Sequence, residues 1–129
     1  MDSLKEKKCA ACEGLVDALP MEEIQKFVPR VPEWELYEEE KVPKIRRRYR
    51  VKNFVEGVKF FNDICEIAES ENHHPDLHLE GYQHVTVCIY THSVRGLTEN
   101  DFILAAKIDG LQPKLSKYHK SKQAQQTTK

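Results

Sequence analysis

What most restricts this chain is a change of hydrophobic period that occurs twice along it. Trp34, Leu36 and Glu38 alternate with Glu35, Tyr37 and Glu39, and after a turn at Glu40-Lys41-Val42-Pro43 a second alternation begins. There Ile45, Arg47, Tyr49 and Val51 interleave with Arg46, Arg48 and Arg50, as two strands of a hairpin would. The period then becomes helical, with Phe54, Val58, Phe61, Cys65 and Ala68 on an expected apolar stripe. Alternation returns in Leu77-His78-Leu79 and, past a Glu80-Gly81 turn, in Val85, Val87 and Ile89 against His84, Thr86, Cys88, Tyr90 and His92. A last helix opens at Thr98, where Thr98-x-x-Asp101 has the spacing of a capping box, and presents Ile103, Leu104, Ile108 and Leu111. Met21 to Val28, stopped by Pro29 and Pro32, makes a short leading helix. The order α-β-β-α-β-β-α predicts an α+β sandwich: a four-stranded antiparallel sheet from two hairpins, with three helices packed on one face.

With 129 residues the chain can bury roughly two-thirds of its unfolded surface, enough for one core. It divides into a leading segment (1–19), a folded domain (20–111) and a polar tail (112–129), in which Leu115, Tyr118 and Ala124 alone are apolar. Such a tail is expected to be mobile, because it has little to bury against its ordering entropy. Mean hydropathy is −0.65, and no apolar run approaches the ~18 residues of a membrane span. The N-terminus lacks the apolar stretch of a secretory signal. Four cysteines at Cys9, Cys12, Cys65 and Cys88 are too few and too scattered for a disulfide framework. These features predict a cytoplasmic domain with no membrane partner.

Charge is segregated. Residues 1–40 hold 11 acids and 5 bases, and residues 41–52 hold 7 bases and no acid. The basic run Lys44 to Arg50 faces Glu33 to Glu40 across the first hairpin, so it reads as a salt-bridged strand pair rather than a nucleic-acid site. The formal net charge of −1 agrees with that reading. Cys9-Ala10-Ala11-Cys12 is half a zinc site without its second pair and is assigned no chemistry. Five of six histidines fall between residues 73 and 92. The second hairpin's turn would bring His73 and His74 beside His92, and two imidazoles facing one ligand can give and take protons near neutrality. Pro75 denies His74 and His78 a helical ligand spacing, so no metal is expected.

Glu69-x3-His73-His74-Pro75, Tyr82, Tyr90-Thr91-His92 and Gly96-Leu97-Thr98-Glu99-x-Asp101 together resemble the signature of the pterin-4a-carbinolamine dehydratase family, over residues 20–111. Six residues separate Pro75 from Tyr82 where the common motif has five. The resemblance implies dehydration of 4a-hydroxytetrahydropterin to quinonoid dihydropterin, without metal or organic cofactor, in tetrahydrobiopterin recycling. It further implies His73 and His92 as the acid–base pair, with His74 holding the pterin and assisting. Asn72, His73, His74, Pro75, Tyr90, Thr91, His92 and Ser93 would meet the substrate. Glu69, placed either to orient His73 or simply to be solvated, and Asp101, read chiefly as the helix cap, are supporting residues. A homodimer or homotetramer is implied, and the family's second use, as a protein-binding module in transcription or assembly, is the alternative.

Overall fold

The computed structural model of the protein describes residues 4–7 and 17–121. Its elements are α1 (Met21–Phe27), β1 (Glu35–Glu39), β2 (Val42–Arg50), α2 (Phe54–Glu71), β3 (Asp76–Glu80), β4 (His84–Ile89) and α3 (Glu99–Asp109). The strands form one antiparallel sheet in the order β1-β2-β4-β3, with β2 and β4 central. One face of the sheet, built from Ile45, Tyr49, Val51, Val85, Val87 and Ile89, packs on the helices. Ile24 of α1, Phe60 and Ile64 of α2 and the nearly all-buried α3 cover it. Each such side chain contributes about 1.5–3 kcal/mol by leaving water. Asp109 ties α3 to the sheet by accepting from Trp34 Nε1 at 2.8 Å and from Arg47 Nη1 at 2.6 Å. On the open face, Glu35 pairs with Arg46 at 2.7 Å and Arg48 at 3.1 Å, and Lys44 with Glu39 at 2.6 Å, the cross-strand pairing expected of the first hairpin.

Three expectations need correction. The buried stripe of α2 is Gly57, Phe60, Ile64 and Ala68, whereas Phe54, Val58 and Cys65 lie outside it and are exposed. At Gly57 the helix packs tightly on the sheet: a Cβ there would stand 3.0 Å from Leu79 Cδ2. A glycine adds nothing to an apolar pattern, so the stripe one register away stands out more in the sequence. The leading segment is not merely a leader, since Leu4 is buried in the core and Lys7 reaches Glu99 at 2.7 Å. Cys9 and Cys12 lie outside the described residues.

The third correction concerns the tail. Residues 112–121 run along the end of the sheet rather than free of it, with Leu115 bridged antiparallel to Val51. Lys52 donates its N–H to Lys114 O at 2.9 Å, and Ser116 donates to Arg50 O at 2.8 Å. The His119 ring stacks on Tyr49, and its Nδ1 accepts the Arg50 N–H at 3.1 Å. Backbone pairing thus offsets the ordering cost that the polar composition could not. Burial lowers the pKa of His119, and the Arg47 charge adds to this. A depressed folded pKa means its contribution is present above the unfolded value, near 6.5, and fades as pH falls below it. The Arg50 amide should therefore lose hydrogen-exchange protection as pH falls through and below the ordinary histidine range. Constant protection across that range would show that His119 does not hold the segment.

Candidate functional site

The C-terminus of α2 places the first two histidines. Asn72 takes the left-handed conformation (φ 52°, ψ 41°), which Asn tolerates better than most residues and which commonly ends a helix. The chain then turns sharply, with His73 N–H returning to Ala68 O at 3.2 Å. Pro75 keeps His74 extended, and β3 starts at the next residue. Asp76 pairs with Cys88 on β4, so the end of β4 arrives beside these histidines. His92 does not end that strand, as its alternation suggested: β4 stops at Ile89, and His92–Val94 is a short 3-10 turn. Thr91 and Gly96 close the base of this loop by mutual backbone bonds of 2.8 and 3.4 Å.

The result is an open cavity of about 290 Å³ lined by Asn72, His73, His74, Pro75, Asp76, Tyr90, Thr91, His92 and Ser93. All eight residues expected to meet a substrate are there. Asp76 is the addition, and only its place after Pro75 could have suggested it. The three imidazoles differ in their partners. His73 is 8% exposed, and its Nε2 lies 2.7 Å from Asp101 Oδ1. His74 is exposed, with Nε2 2.6 Å from Glu69 Oε2. His92 packs against Tyr90 with centroids 4.1 Å apart and the rings tilted by 34°, and its ring nitrogens have no hydrogen-bond partner among the described residues. Glu69 therefore holds His74, not His73 as expected.

Asp101 does what Glu69 was expected to do, and its role extends beyond the cap. Fully buried, it accepts at Oδ2 from Thr98 N–H and from Thr91 Oγ1, both at 2.8 Å, while Oδ1 faces His73. Thr98 Oγ1 lies 3.0 Å from Thr91 Oγ1 and also takes the Asp101 N–H in the capping box. Thr91 has one hydroxyl hydrogen and gives it to the Asp101 carboxylate, so the bond between the two threonines is donated by Thr98. An ionised carboxylate only accepts, so Asp101 Oδ1 takes its hydrogen from His73 Nε2, and in the neutral ring that tautomer leaves Nδ1 as the acceptor. Thr91 lines the cavity, but its hydroxyl is engaged in this network. Tyr82, in the β3–β4 turn at φ 56°, is exposed and lies outside the cavity. Among the described residues, no group of three His, Cys, Asp or Glu could hold a metal ion.

Fold and cavity together define a class: a small α+β sandwich carrying three histidines and a buried carboxylate around an open pocket at one end of its sheet. Residues 17–111 match the family model described as Pterin 4 alpha carbinolamine dehydratase, and the chain belongs to that family. A mitochondrial pterin-4-alpha-carbinolamine dehydratase 2 of Arabidopsis thaliana is 46% identical over 110 residues, which are 84% of this chain and 59% of that protein. A protein of Halorhodospira halophila named "Putative pterin-4-alpha-carbinolamine dehydratase" is 43% identical over 84% of this chain and 97% of its own length. Among solved structures, a transcriptional coactivator/pterin dehydratase from Brucella melitensis superposes with a TM-score of 0.64 at 27% identity. That match covers 72% of this chain and 96% of the Brucella chain. No helix among the described residues is long and apolar enough to cross a membrane.

Proposed function

We propose that this protein dehydrates 4a-hydroxytetrahydropterin to quinonoid dihydropterin, with His73 as the base and His92 as the acid. The observation that carries the assignment is the hydrogen-bond order at Asp101, which leaves His73 a free Nδ1 acceptor backed by a buried carboxylate. In the reaction His73 takes the N5 proton, the electron pair released closes the C4a=N5 bond, and the C4a–O bond breaks. Protonated His92 supplies a proton to the departing hydroxyl, which leaves as water. Asp101 then faces an imidazolium, and proton exchange with solvent resets the pair. His74, held by Glu69, meets the ring beside Pro75 and Asp76. Proton transfer of this kind contributes ~10²–10⁴-fold.

Stopped-flow decay of 4a-hydroxytetrahydropterin tests the activity, and acceleration by the folded wild type is the expected result. No acceleration would leave the protein-binding alternative; the Brucella relative is described as a transcriptional coactivator as well as a pterin dehydratase. A place in tetrahydrobiopterin recycling follows from the same reading; a cytoplasmic location is a separate proposal, which imaging of a fluorescent fusion of the full chain checks. We also propose a homodimer or homotetramer that pairs α2 helices. The exposed Phe54, Val55 and Val58 are the support: apolar side chains on one helix, 55%, 70% and 41% accessible. Val58→Asp should lower the oligomeric mass in sedimentation while leaving the fold intact, and an unchanged mass would exclude that face.

A further inference from the structure

At the end of the sheet opposite the histidines, residues 114–120 and the neighbouring strand ends enclose two adjoining cavities. They measure about 340 and 720 Å³ and share Arg50 and Tyr118. Their walls carry Arg48, Arg50, Lys52, Lys114, Lys117 and Lys120, and neither wall contains an Asp or Glu. Arg48 is paired with Glu35, but Lys52 and Lys114 are exposed and enter no ion pair among the described residues. In a chain of net charge −1, this concentrates positive charge at one place rather than spreading it.

The groove also has a backbone edge. Leu115 bridges Val51 through bonds made by its neighbours Lys114 and Ser116, which directs its own N–H and C=O away from β2. Those two groups have no partner among the described residues. Leu115 and Tyr82 add apolar surface beside them. An extended chain lying along residues 114–116 would complete the ladder while its acidic side chains met the lysines. Single-stranded nucleic acid fits less well, because it cannot use a backbone ladder. The Tyr118 ring it would stack on already has Arg50 5.2 Å and Lys117 5.1 Å from its centroid. The described tail cannot fill the groove either, since it forms the wall, and residues 122–129 bring no acid.

We propose that this groove binds an extended acidic segment of another protein, which adds as a strand beside residues 114–116. The test uses a fluorescein-labelled peptide of about ten glutamates with a central leucine, titrated with the full chain and read by anisotropy. Saturable binding should weaken at least ~10-fold in Lys52→Glu/Lys114→Glu, whose exposed positions leave the fold and the distant histidine pocket intact. It should weaken similarly when alternate residues of the peptide are N-methylated, which keeps the charge and removes the ladder donors. No binding by wild type, or equal binding by the charge-reversed variant, overturns the proposal. So does tighter binding of an oligothymidylate of matched charge. Equal binding of the N-methylated peptide overturns strand addition. Self-association that the peptide displaces and the charge reversal abolishes would put a second copy of this chain in the groove instead.

Discussion

Replacing His73 with alanine should cut the acceleration of 4a-hydroxytetrahydropterin decay by about 10²-fold to 10⁴-fold, the range for loss of one proton-transfer group. In free energy that is roughly 3–5 kcal/mol of barrier. His92→Ala should lose a similar factor, because the two imidazoles serve one elimination from opposite ends of the breaking and forming bonds. Their effects should not multiply. Once the base is gone, a better-placed acid has little to act on, so His73→Ala/His92→Ala should fall only slightly below the worse single variant. His74→Ala should behave differently. Its imidazole is exposed and tethered to an exposed Glu69, so the loss should appear mainly in KM. Single-turnover and steady-state traces on the wild type and the four variants decide this. Equal kcat for His73→Ala and wild type would remove His73 as the base.

Much of this site could be read in the sequence because its carriers are local. Glu69 to Pro75 sits where a helix must end, and a hairpin turn at residues 80–82 fixes which residues come back beside it. The Thr98-x-x-Asp101 spacing announces a helix start without further information. What stayed hidden depends on contacts across the fold. Nothing in the order of residues says that Asp101 reaches a histidine 28 positions earlier. Two carboxylates were available to orient His73, and the nearer in sequence, Glu69, took the other histidine. The α2 stripe is hidden for a similar reason, since Gly57 has no side chain to mark it as the position that packs on Leu79 of β3. The docked tail shows the limit of composition: a polar segment can be ordered by backbone bonds, to which composition is blind.

The most discriminating substitution is Asp101→Asn, because it keeps shape and removes only the ability to accept at both ends. Two orientations of the amide are open. If the nitrogen faces Thr98 N–H and Thr91 Oγ1, it confronts donors, and the buried conflict costs about 1–3 kcal/mol. If instead the oxygen faces them, the capping box survives and the nitrogen turns toward His73 Nε2. The second arrangement satisfies every group, provided His73 changes tautomer so that Nε2 accepts and Nδ1 carries the hydrogen. The ring nitrogen that should take the N5 proton is then already protonated. Asp101→Asn should therefore fold with near-native stability yet lose activity by about 10²-fold or more. Asp101→Ala, which also deletes the cap, should lose ~1–2 kcal/mol of stability in addition. Nitrogen-15 shifts of the His73 ring read the tautomer without any turnover: Nε2–H in wild type, Nδ1–H in Asp101→Asn. A His73 ring already protonated at Nδ1 in wild type would reverse the assignment of acid and base. Full activity in Asp101→Asn would confine Asp101 to holding the start of α3.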